Sequence, residues 1–492
     1  RRSEVGGRRS EVGRRRSDVG RRRSEVGGRT SEVGGRRSDV GGRTACLCVA
    51  PKAFGAETGS RGRRLGPTQS GLMVGLLILL VLASGCRSAA ENPSDGRRPV
   101  SIMMMFLSTK QNDFYQWAER TYEARNPDVD IQIQVFPGSS LKDFEIKLRL
   151  MFASRQAPDI IPVSEGLAAG FARKGLLDPC PASIVDMVET NSVNELVRNS
   201  AYVDGTCFGI ATDAVWQALF YNKRMFREAG LDPERPPRDW DELLDYAERL
   251  TVRNDAGSPT RVGFFIRKTG FKPGIAGKWF TFLYSAGGRP FSEDGTRTRF
   301  NDEAGRAALQ FYQTILDRRI DAVGFDGDEQ GFGQERIAMI IREAYLVRWL
   351  GEHYPDVEFG IAPIPAKVAS ISDGASYVAT VNAESKNKDD AWGFIEFLMA
   401  DEAYARRAAL GGVMPATRSV AALPEYRDDP LIKVFLEQEV APTNTFEGAD
   451  RAIDMLGAYI ERFCYGRLTL DETLERAELD INALLKRLNG KR

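Results

Sequence analysis

The sequence contains one histidine, His353, and its six cysteines do not have the spacing of a metal site. A chain with a single histidine offers no pair of imidazoles to bind a metal ion. The chain also lacks a Gly-x-Ser-x-Gly elbow, a metal motif and a phosphate-binding loop, which mark several common classes of enzyme. We therefore expect no metal, no cofactor and no catalytic activity, and we interpret His353 as a solvent-facing loop residue.

The chain as a whole has no excess of charge, since 68 Lys and Arg balance 68 Asp and Glu. That average hides two different regions. Residues 1–86 hold 18 of the basic residues and 7 of the acidic ones, so the remainder of the chain is net acidic. An acidic body argues against a nucleic-acid surface, and we expect no nucleic-acid partner.

Three of the six cysteines, Cys180, Cys207 and Cys464, follow residue 86. This odd number leaves room for one disulfide in an oxidising compartment. Cys180 and Cys207 are the closest pair in the sequence, although the spacing does not establish the bond.

Residues 1–44 repeat a unit that reads Arg-Arg-Ser-Glu-Val-Gly-Gly, with small variations. Each copy has one valine as its only sizeable apolar side chain, so it cannot bury enough surface to offset its chain entropy. We expect residues 1–71 to be a disordered leader that is absent from the mature protein.

Residues 72–86 have the pattern of an export signal. Leu72 to Ala83 is an apolar run that is too short to span a bilayer comfortably but has the length of a signal-peptide core. It ends in Leu82-Ala83-Ser84-Gly85-Cys86, which resembles a bacterial lipobox. We therefore expect a lipid-anchored protein of the cell envelope or periplasm, acylated on Cys86, with residues 87–98 as a linker.

From Pro99 onward, strand-like and helix-like segments alternate. Val100–Leu107, Asp130–Phe136 and Pro158–Val163 read as strands, and the segments between them have helical spacing of apolar residues. This order predicts a sheet covered by helices. Ligands bind such sheets beyond the carboxyl ends of the strands, which points to the turns that start at Ser108 and Ser164.

The most specific tract runs from Ala218 to Leu250 and predicts a strand, a helix, a glycine stop and a second helix. Gly230 is expected to end the first helix. Asp239 is expected to cap the second, with Glu242 completing a capping box. The tract contains Tyr221-Asn222-Lys223, Phe226, Ala229-Gly230-Leu231, Pro236-Pro237, Trp240 and Glu242-Leu243-Leu244. It resembles the signature of family 1 extracellular solute-binding proteins of ABC importers, the group that includes the maltose-binding protein.

Further stretches follow in the family's order over residues 99–490. They include Ala157–Ile161, Gly175–Pro179, Gly287-Gly288, Ile337–Met339, Gly374–Ala379, Ser385–Lys388, Ala391–Leu398, Gly412–Ala416 and Thr469–Leu474.

The resemblance implies an α/β, two-lobed periplasmic-binding-protein fold of type II, in which each lobe is a mainly parallel sheet flanked by helices. Residues 99–213 with 375–412 would form lobe 1, and residues 214–374 with 413–492 would form lobe 2. Crossings between the lobes are expected near Asp213–Trp216, Gly374 and Gly412, with closure by hinge motion. The implied function is capture of a sugar or oligosaccharide and its delivery to the transmembrane subunits of an ABC permease, with a monomer held at the membrane by its lipid.

A sugar site needs aromatic faces for stacking and polar groups for bidentate hydrogen bonds. On position, the aromatic candidates are Trp216, Trp279 and Tyr345. The candidates that follow predicted strand ends are Lys110, Glu165, Asp213 and Glu343. The candidates in a family segment near the cleft are Gly374 and Tyr377, where the glycine would let the backbone approach a ligand.

Other functions remain open at this stage. The same fold could bind a polyamine, a phosphate ester or a metal chelate, or it could serve as a sensor or adhesion protein. A lipid-anchored glycoside hydrolase would use Glu165 and Asp213 as its carboxylate pair. The sequence departs from the maltose binder after Ile161, where Pro162-Val163 replaces an aromatic, so the identity of the sugar is open.

Overall fold

The computed structural model describes residues 96–105, 109–136, 141–325, 327–411, 414–442 and 444–489. The repeat leader, the lipobox with Cys86, most of the linker and Gly412 lie outside the described residues. Within the described residues, no helix is both long and apolar enough to cross a bilayer.

Thirteen strands are present in the described part of the chain. They are β1 Arg98–Met104, β2 Val129–Val135, β3 Ile160–Ser164, β4 Tyr202–Val203, β5 Thr206–Cys207, β6 Gly209–Asn222, β7 Val252–Arg253, β8 Pro259–Arg261, β9 Met339–Glu343, β10 Phe359–Ala362, β11 Ile371–Ser372, β12 Gly374–Val381 and β13 Glu439–Val440.

The helices of the same residues begin with α1 Thr109–Arg125, α2 Leu141–Ala153, α3 Glu165–Ala172, α4 Ala182–Asn191, α5 Glu195–Ser200, α6 Lys223–Glu228, α7 Trp240–Leu250, α8 Lys272–Ser285 and α9 Glu303–Asp317. They continue with α10 Asp328–Gly333, α11 Tyr345–His353, α12 Lys388–Met399, α13 Asp401–Gly411, α14 Arg418–Ala421, α15 Pro424–Arg427, α16 Pro430–Glu437, α17 Ala449–Cys464 and α18 Leu470–Asn489.

Strand β6 links two parts of one seven-stranded sheet. Its residues 209–216 pair antiparallel with β12, and its residues 217–222 pair antiparallel with β9 and β10. The strand is buried along nearly its whole length, as expected for a strand that is covered on both faces. Beyond β12, the sheet continues through β3 and β1 to β2.

The two-lobed α/β fold is confirmed, with one difference in its detail. In the first lobe, β1 pairs parallel with β2 and β3. In the second lobe, β9 and β10 pair antiparallel with β6, and β7 pairs antiparallel with β8. Parallel pairing there is limited to the two-residue pair β11–β13 and the isolated bridges Asp239–Ala366, Val262–Ile337 and Phe265–Ile340.

The period-two alternation of β1 places its side chains in two different cores. Val100, Ile102 and Met104 belong to a cluster on one face of the sheet, and Met103 belongs to a second cluster with Phe144 on the other. A third cluster fills the second lobe around α8 and α9.

Local signals in the sequence set the helix ends. The predicted cap of α7 is confirmed, since Asp239 Oδ1 accepts a 2.8 Å hydrogen bond from Glu242 N. Gly230 follows α6 with a φ of +67°, as a helix stop requires. The interpretation of His353 as a loop residue was wrong. It is the exposed last residue of α11, and its ring stacks on Trp349 one turn earlier.

Candidate functional site

A cavity of about 230 Å³ lies where elements of both lobes meet. Its walls are the carboxyl ends of β3 and β9, the start of β12, the middle of β6 and one side each of α8 and α17. The position agrees with the rule that ligands bind beyond the strand ends of α/β sheets. The lining residues are Ser164, Glu165, Val215, Gln217, Phe271, Pro273, Gly274, Gly277, Phe280, Glu343, Asp373, Gly374, Ala375, Ser376, Tyr377, Asn444, Asp450 and Ile453.

A second cavity of about 480 Å³ continues the first outward between α2, α8 and α17. The two cavities share Ser164, Phe271, Pro273 and Asp450, so they form one elongated cleft. A larger hollow of about 610 Å³ near Asp159 is lined by residues from the first lobe alone and lies at the opposite edge of the sheet, beside the starts of β1 and β3.

Ion pairs and hydrogen bonds join the two lobes along the edge of this cleft. Ser164 Oγ donates to Asp450 Oδ2 at 3.0 Å. Arg451 on α17 pairs with Glu145 on α2 at 2.8 Å, and Lys174 pairs with Glu447. The cleft is therefore bridged on the side where α17 approaches α3.

Glu165 stands at the junction of β3 and α3. Ser164 caps the helix by accepting from Leu167 N at 3.4 Å, which places Glu165 in the first helical turn. The residue is 9% exposed, and its carboxylate accepts from Ser376 N at 3.1 Å. Burial, together with the nearby carboxylate of Asp450, raises the pKa of Glu165 to about 8.

The start of β12 supplies the floor of the cavity. Asp373 accepts from Gln217 Nε2 at 3.4 Å, and burial raises its pKa well above the usual value against the attraction of Lys278. Gly374 is required by packing, because a Cβ there would lie 2.6 Å from Leu196 Cδ1 and 2.8 Å from Val440 Cγ1. The crowding that excludes a side chain therefore comes from the protein itself.

Glu343, the last residue of β9, is held by two cations behind the cavity wall. Lys278 Nζ donates to its carboxylate, and Arg342 Nε lies 3.3 Å from Glu343 Oε2. Burial alone would raise the pKa of Glu343, but these two cations lower it to about 2. Arg342 also pairs with Asp328 and Glu329, so the Glu343 charge is part of a larger network.

Helix α8 brings its first turns to the cavity. Phe271 precedes the helix, is 50% exposed and lines both the inner and the outer cavity. Gly277 allows close approach to β12, since a Cβ there would lie 2.9 Å from Asp373 Oδ2.

Four of the nine residues expected from the sequence line the cavity: Glu165, Glu343, Gly374 and Tyr377. Trp216 and Trp279 lie elsewhere. Trp216 is 1% exposed and donates to Phe435 O at 2.7 Å, and Trp279 is fully buried against Phe280 and Phe300.

The remaining three expected residues have partners away from the cavity. Exposed Lys110 pairs with Glu352, and Asp213 pairs with Arg407 at 2.5 Å. Tyr345 is partly buried at the start of α11, with the Arg342 guanidinium 5.3 Å from its ring centroid.

The sequence reasoning missed Phe271, Asp373, Ser376 and Asp450. Asp373 and Ser376 flank Gly374 in a segment already singled out, so inspection of its neighbours could have found them. Phe271 follows Gly270 and precedes Pro273, which is a signal for a helix start with a loop aromatic. Asp450 carries no local signal, because only the packing of α17 brings it to the cleft.

Three comparisons with known proteins agree with this architecture. A model of the family described as bacterial extracellular solute-binding protein matches residues 108–405. A putative binding protein of Brucella abortus (strain 2308) is 23% identical over 430 residues, which cover 85% of this chain and 98% of that protein. The maltotriose-binding protein of Pyrococcus abyssi is 23% identical over 333 residues, covering 65% of this chain and 67% of its own.

Among solved structures, the cyclic alpha-maltosyl-1,6-maltose binding protein of Arthrobacter globiformis superposes with a TM-score of 0.67. It is 24% identical and covers 80% of this chain and 100% of its own. This likeness shows the fold.

Proposed function

Because this chain belongs to the family of bacterial extracellular solute-binding proteins, we propose that it captures a sugar or oligosaccharide between its two lobes. The observation that carries this proposal is the cleft, whose walls come from both lobes and combine carboxylates, an amide and a hydroxyl with the ring of Phe271. Polar acceptors suit the hydroxyls of a sugar, and an aromatic face suits its C–H surface. The outer cavity gives room for a second ring.

The proposal extends to transport. A lipid on Cys86 would hold the protein at a membrane of the cell envelope, and closure of the lobes would present the loaded form to the transmembrane subunits of an ABC permease. Incorporation of a labelled fatty acid that is lost in Cys86→Ser tests the anchor.

The residues around the cavity disfavour two of the alternative functions. A phosphate ester is disfavoured in the inner cavity, because no Lys or Arg is among the described residues that line it, and the cations Lys142, Lys272 and Arg451 line only the outer cavity. A hydrolase using Glu165 and Asp213 is disfavoured, because Asp213 lies outside the cavity and is held by Arg407.

One observation favours hydrolysis by a different pair. The pKa of Glu165 is raised to about 8 while that of Glu343 is lowered to about 2, which is the divergence expected of a general acid and its partner. Glu343 is nevertheless paired with Lys278 and Arg342, and these two cations lower its basicity and so weaken it as a nucleophile or base.

Calorimetry with a panel of neutral di- and trisaccharides tests the capture function, with the products analysed by chromatography after prolonged incubation. We expect at least one saccharide to bind without being changed. Cleavage of a bound saccharide would establish the hydrolase instead. Failure of every saccharide in the panel, with binding of spermidine, would refute sugar capture.

A further inference from the structure

The cavity holds more carboxylates than its surroundings neutralise. Glu165, Glu343, Asp373 and Asp450 all line it. Lys278 and Arg342 pair with Glu343. Within the described part of the chain, the other three carboxylates have no ion pair with a Lys or Arg.

Neutral donors hold these three carboxylates in place. Glu165 accepts from the Ser376 backbone at 3.1 Å, Asp373 from the Gln217 side chain at 3.4 Å and Asp450 from Ser164 Oγ at 3.0 Å. Such bonds orient the carboxylates without cancelling their charge, and a buried charge without a counterion is unfavourable.

The pKa shifts of these carboxyl groups show that they interact electrostatically with one another. Burial raises the pKa of Asp450 to about 6. The carboxylates of Glu165 and Glu343 both raise the pKa of Asp373, and Lys278 is the cation that opposes them. Burial lowers the pKa of Lys278, and the positive charges of Arg342 and Arg267 lower it further against the attraction of Glu343. Burial and mutual repulsion therefore raise the pKa values of Glu165, Asp373 and Asp450, and a positive charge placed among them would favour their ionised forms.

A separate observation points to a bound molecule. Ser376 is among the residues that line the same cavity and is 1% exposed, and its buried Oγ has no hydrogen-bond partner among the described residues. Buried hydroxyls in folded proteins nearly always have a partner. A polar group of the ligand would satisfy this hydroxyl.

We propose that the ligand is an amine-bearing sugar, whose ammonium group is held by Glu165 and Asp373 while Ser376 Oγ accepts one of its hydrogen bonds. This rests on the proposed sugar-capture function and narrows it to one chemical class. An ammonium carries three donors and a positive charge, so it can satisfy two carboxylates and a hydroxyl at once. Asp450, which also borders the outer cavity, is left to bind the hydroxyls of the neighbouring ring.

Matched saccharides test the proposal on the whole protein by calorimetry at pH 7. Each neutral di- or trisaccharide of the panel is compared with its 2-amino-2-deoxy counterpart and with the N-acetylated form, which keeps the nitrogen but loses the charge. We expect the amine of at least one set to bind at least tenfold more tightly than both of its neutral relatives. We also expect its binding to release protons, seen as an enthalpy that varies with the ionisation enthalpy of the buffer.

Two variants test whether Glu165 and Asp373 cause the preference for the amine. Glu165→Gln and Asp373→Asn keep the shape of each side chain and remove its charge, so each should reduce the preference for the amine about tenfold or more. The matched control is Glu475→Gln, which removes an exposed carboxylate of α18 and should leave the preference unchanged. Far-ultraviolet circular dichroism checks that each variant is folded, and proton release in the unmodified protein tests the idea without any variant.

The outcomes separate this inference from the function on which it rests. Neutral saccharides that bind as tightly as their amines, with no proton release, would overturn the inference and leave sugar capture standing. An amine preference that persists in both cavity variants would also overturn it. If no saccharide of any class binds, sugar capture itself fails.

Discussion

A buried ion pair in the second lobe allows a sharp test of the energetics. Lys268 Nζ lies 2.7 Å from Asp321 Oδ2, and both side chains are 0% exposed. Asp321 also accepts from the backbone of Ile266 at 3.0 Å and of Ala322 at 2.6 Å. Lys268→Met removes the cation but retains the carboxylate, which then keeps two neutral donors and no counterion.

We expect Lys268→Met to lower the free energy of unfolding by about 3–5 kcal/mol, the usual cost of removing one partner from a buried pair. The double variant Lys268→Met with Asp321→Asn should cost less than the single one, because it buries no net charge. Urea unfolding, monitored by circular dichroism at pH 7, measures the free energy of unfolding of each variant. Lys433→Met is the control, since its pair with Glu437 is mostly exposed and should contribute less than about 1 kcal/mol.

The change in the free energy of unfolding with pH provides a second test of the same reasoning. Burial already raises the pKa of Asp321, and Lys268 opposes that effect. Without Lys268 the pKa of Asp321 rises further, so the folded state binds a proton that the unfolded state releases. The free energy of unfolding of Lys268→Met should therefore recover as the pH falls from 7 to 5, by at most about 1.4 kcal/mol per pH unit. A loss below about 1 kcal/mol, or one that is the same at both pH values, would refute the reasoning.

Further predictions concern the packing around the cleft. Gly374→Ala should destabilise the protein by about 1–3 kcal/mol in urea, because its Cβ would lie 2.6 Å from Leu196 Cδ1. Trp216→Phe removes the donor to a backbone carbonyl and should cost about 1–3 kcal/mol while leaving sugar affinity unchanged; a loss of affinity alone would place Trp216 in the site. The sulfurs of Cys180 and Cys207 are 3.1 Å apart as free thiols, so protein from an oxidising compartment should resist thiol labelling at both until it is reduced.

The fold could be predicted because its signals are local or periodic. Alternating segments predicted the α/β sheet, and Asp239 and Gly230 marked helix ends that the structure confirms, the first through its side chain and the second through its positive φ. The antiparallel pairing around β6 could not be read in the same way. This pairing depends on which strands, distant from β6 in the sequence, come to lie beside it. No single segment of the sequence indicates that choice.

Trp279 shows why position along the chain was a poor guide to the site. Helix α8 does reach the cavity, as the sequence position suggested. The residues that face it are Pro273, Gly277 and Phe280, which are spaced four and three positions apart and so share one side of the helix. Trp279 lies two positions after Gly277, about 200° around the helix, and therefore packs into the core. The angular position of Trp279 around the helix, which the residue type does not reveal, keeps its side chain out of the cavity.

The chemistry of the cleft arises from strand order, and no motif in the sequence contains it. Ser164 and Asp450 are 286 positions apart, yet they share a hydrogen bond. Asp373 and Glu343 come from two further segments of the chain. Within its own segment, each of these residues looks like an ordinary polar residue. Because β3, β9 and β12 end or begin at one edge of the sheet, their terminal carboxylates converge there. The excess of carboxyl groups over neighbouring cations is therefore a property of the topology, and it would let the site distinguish ligands by charge when they share the same ring skeleton.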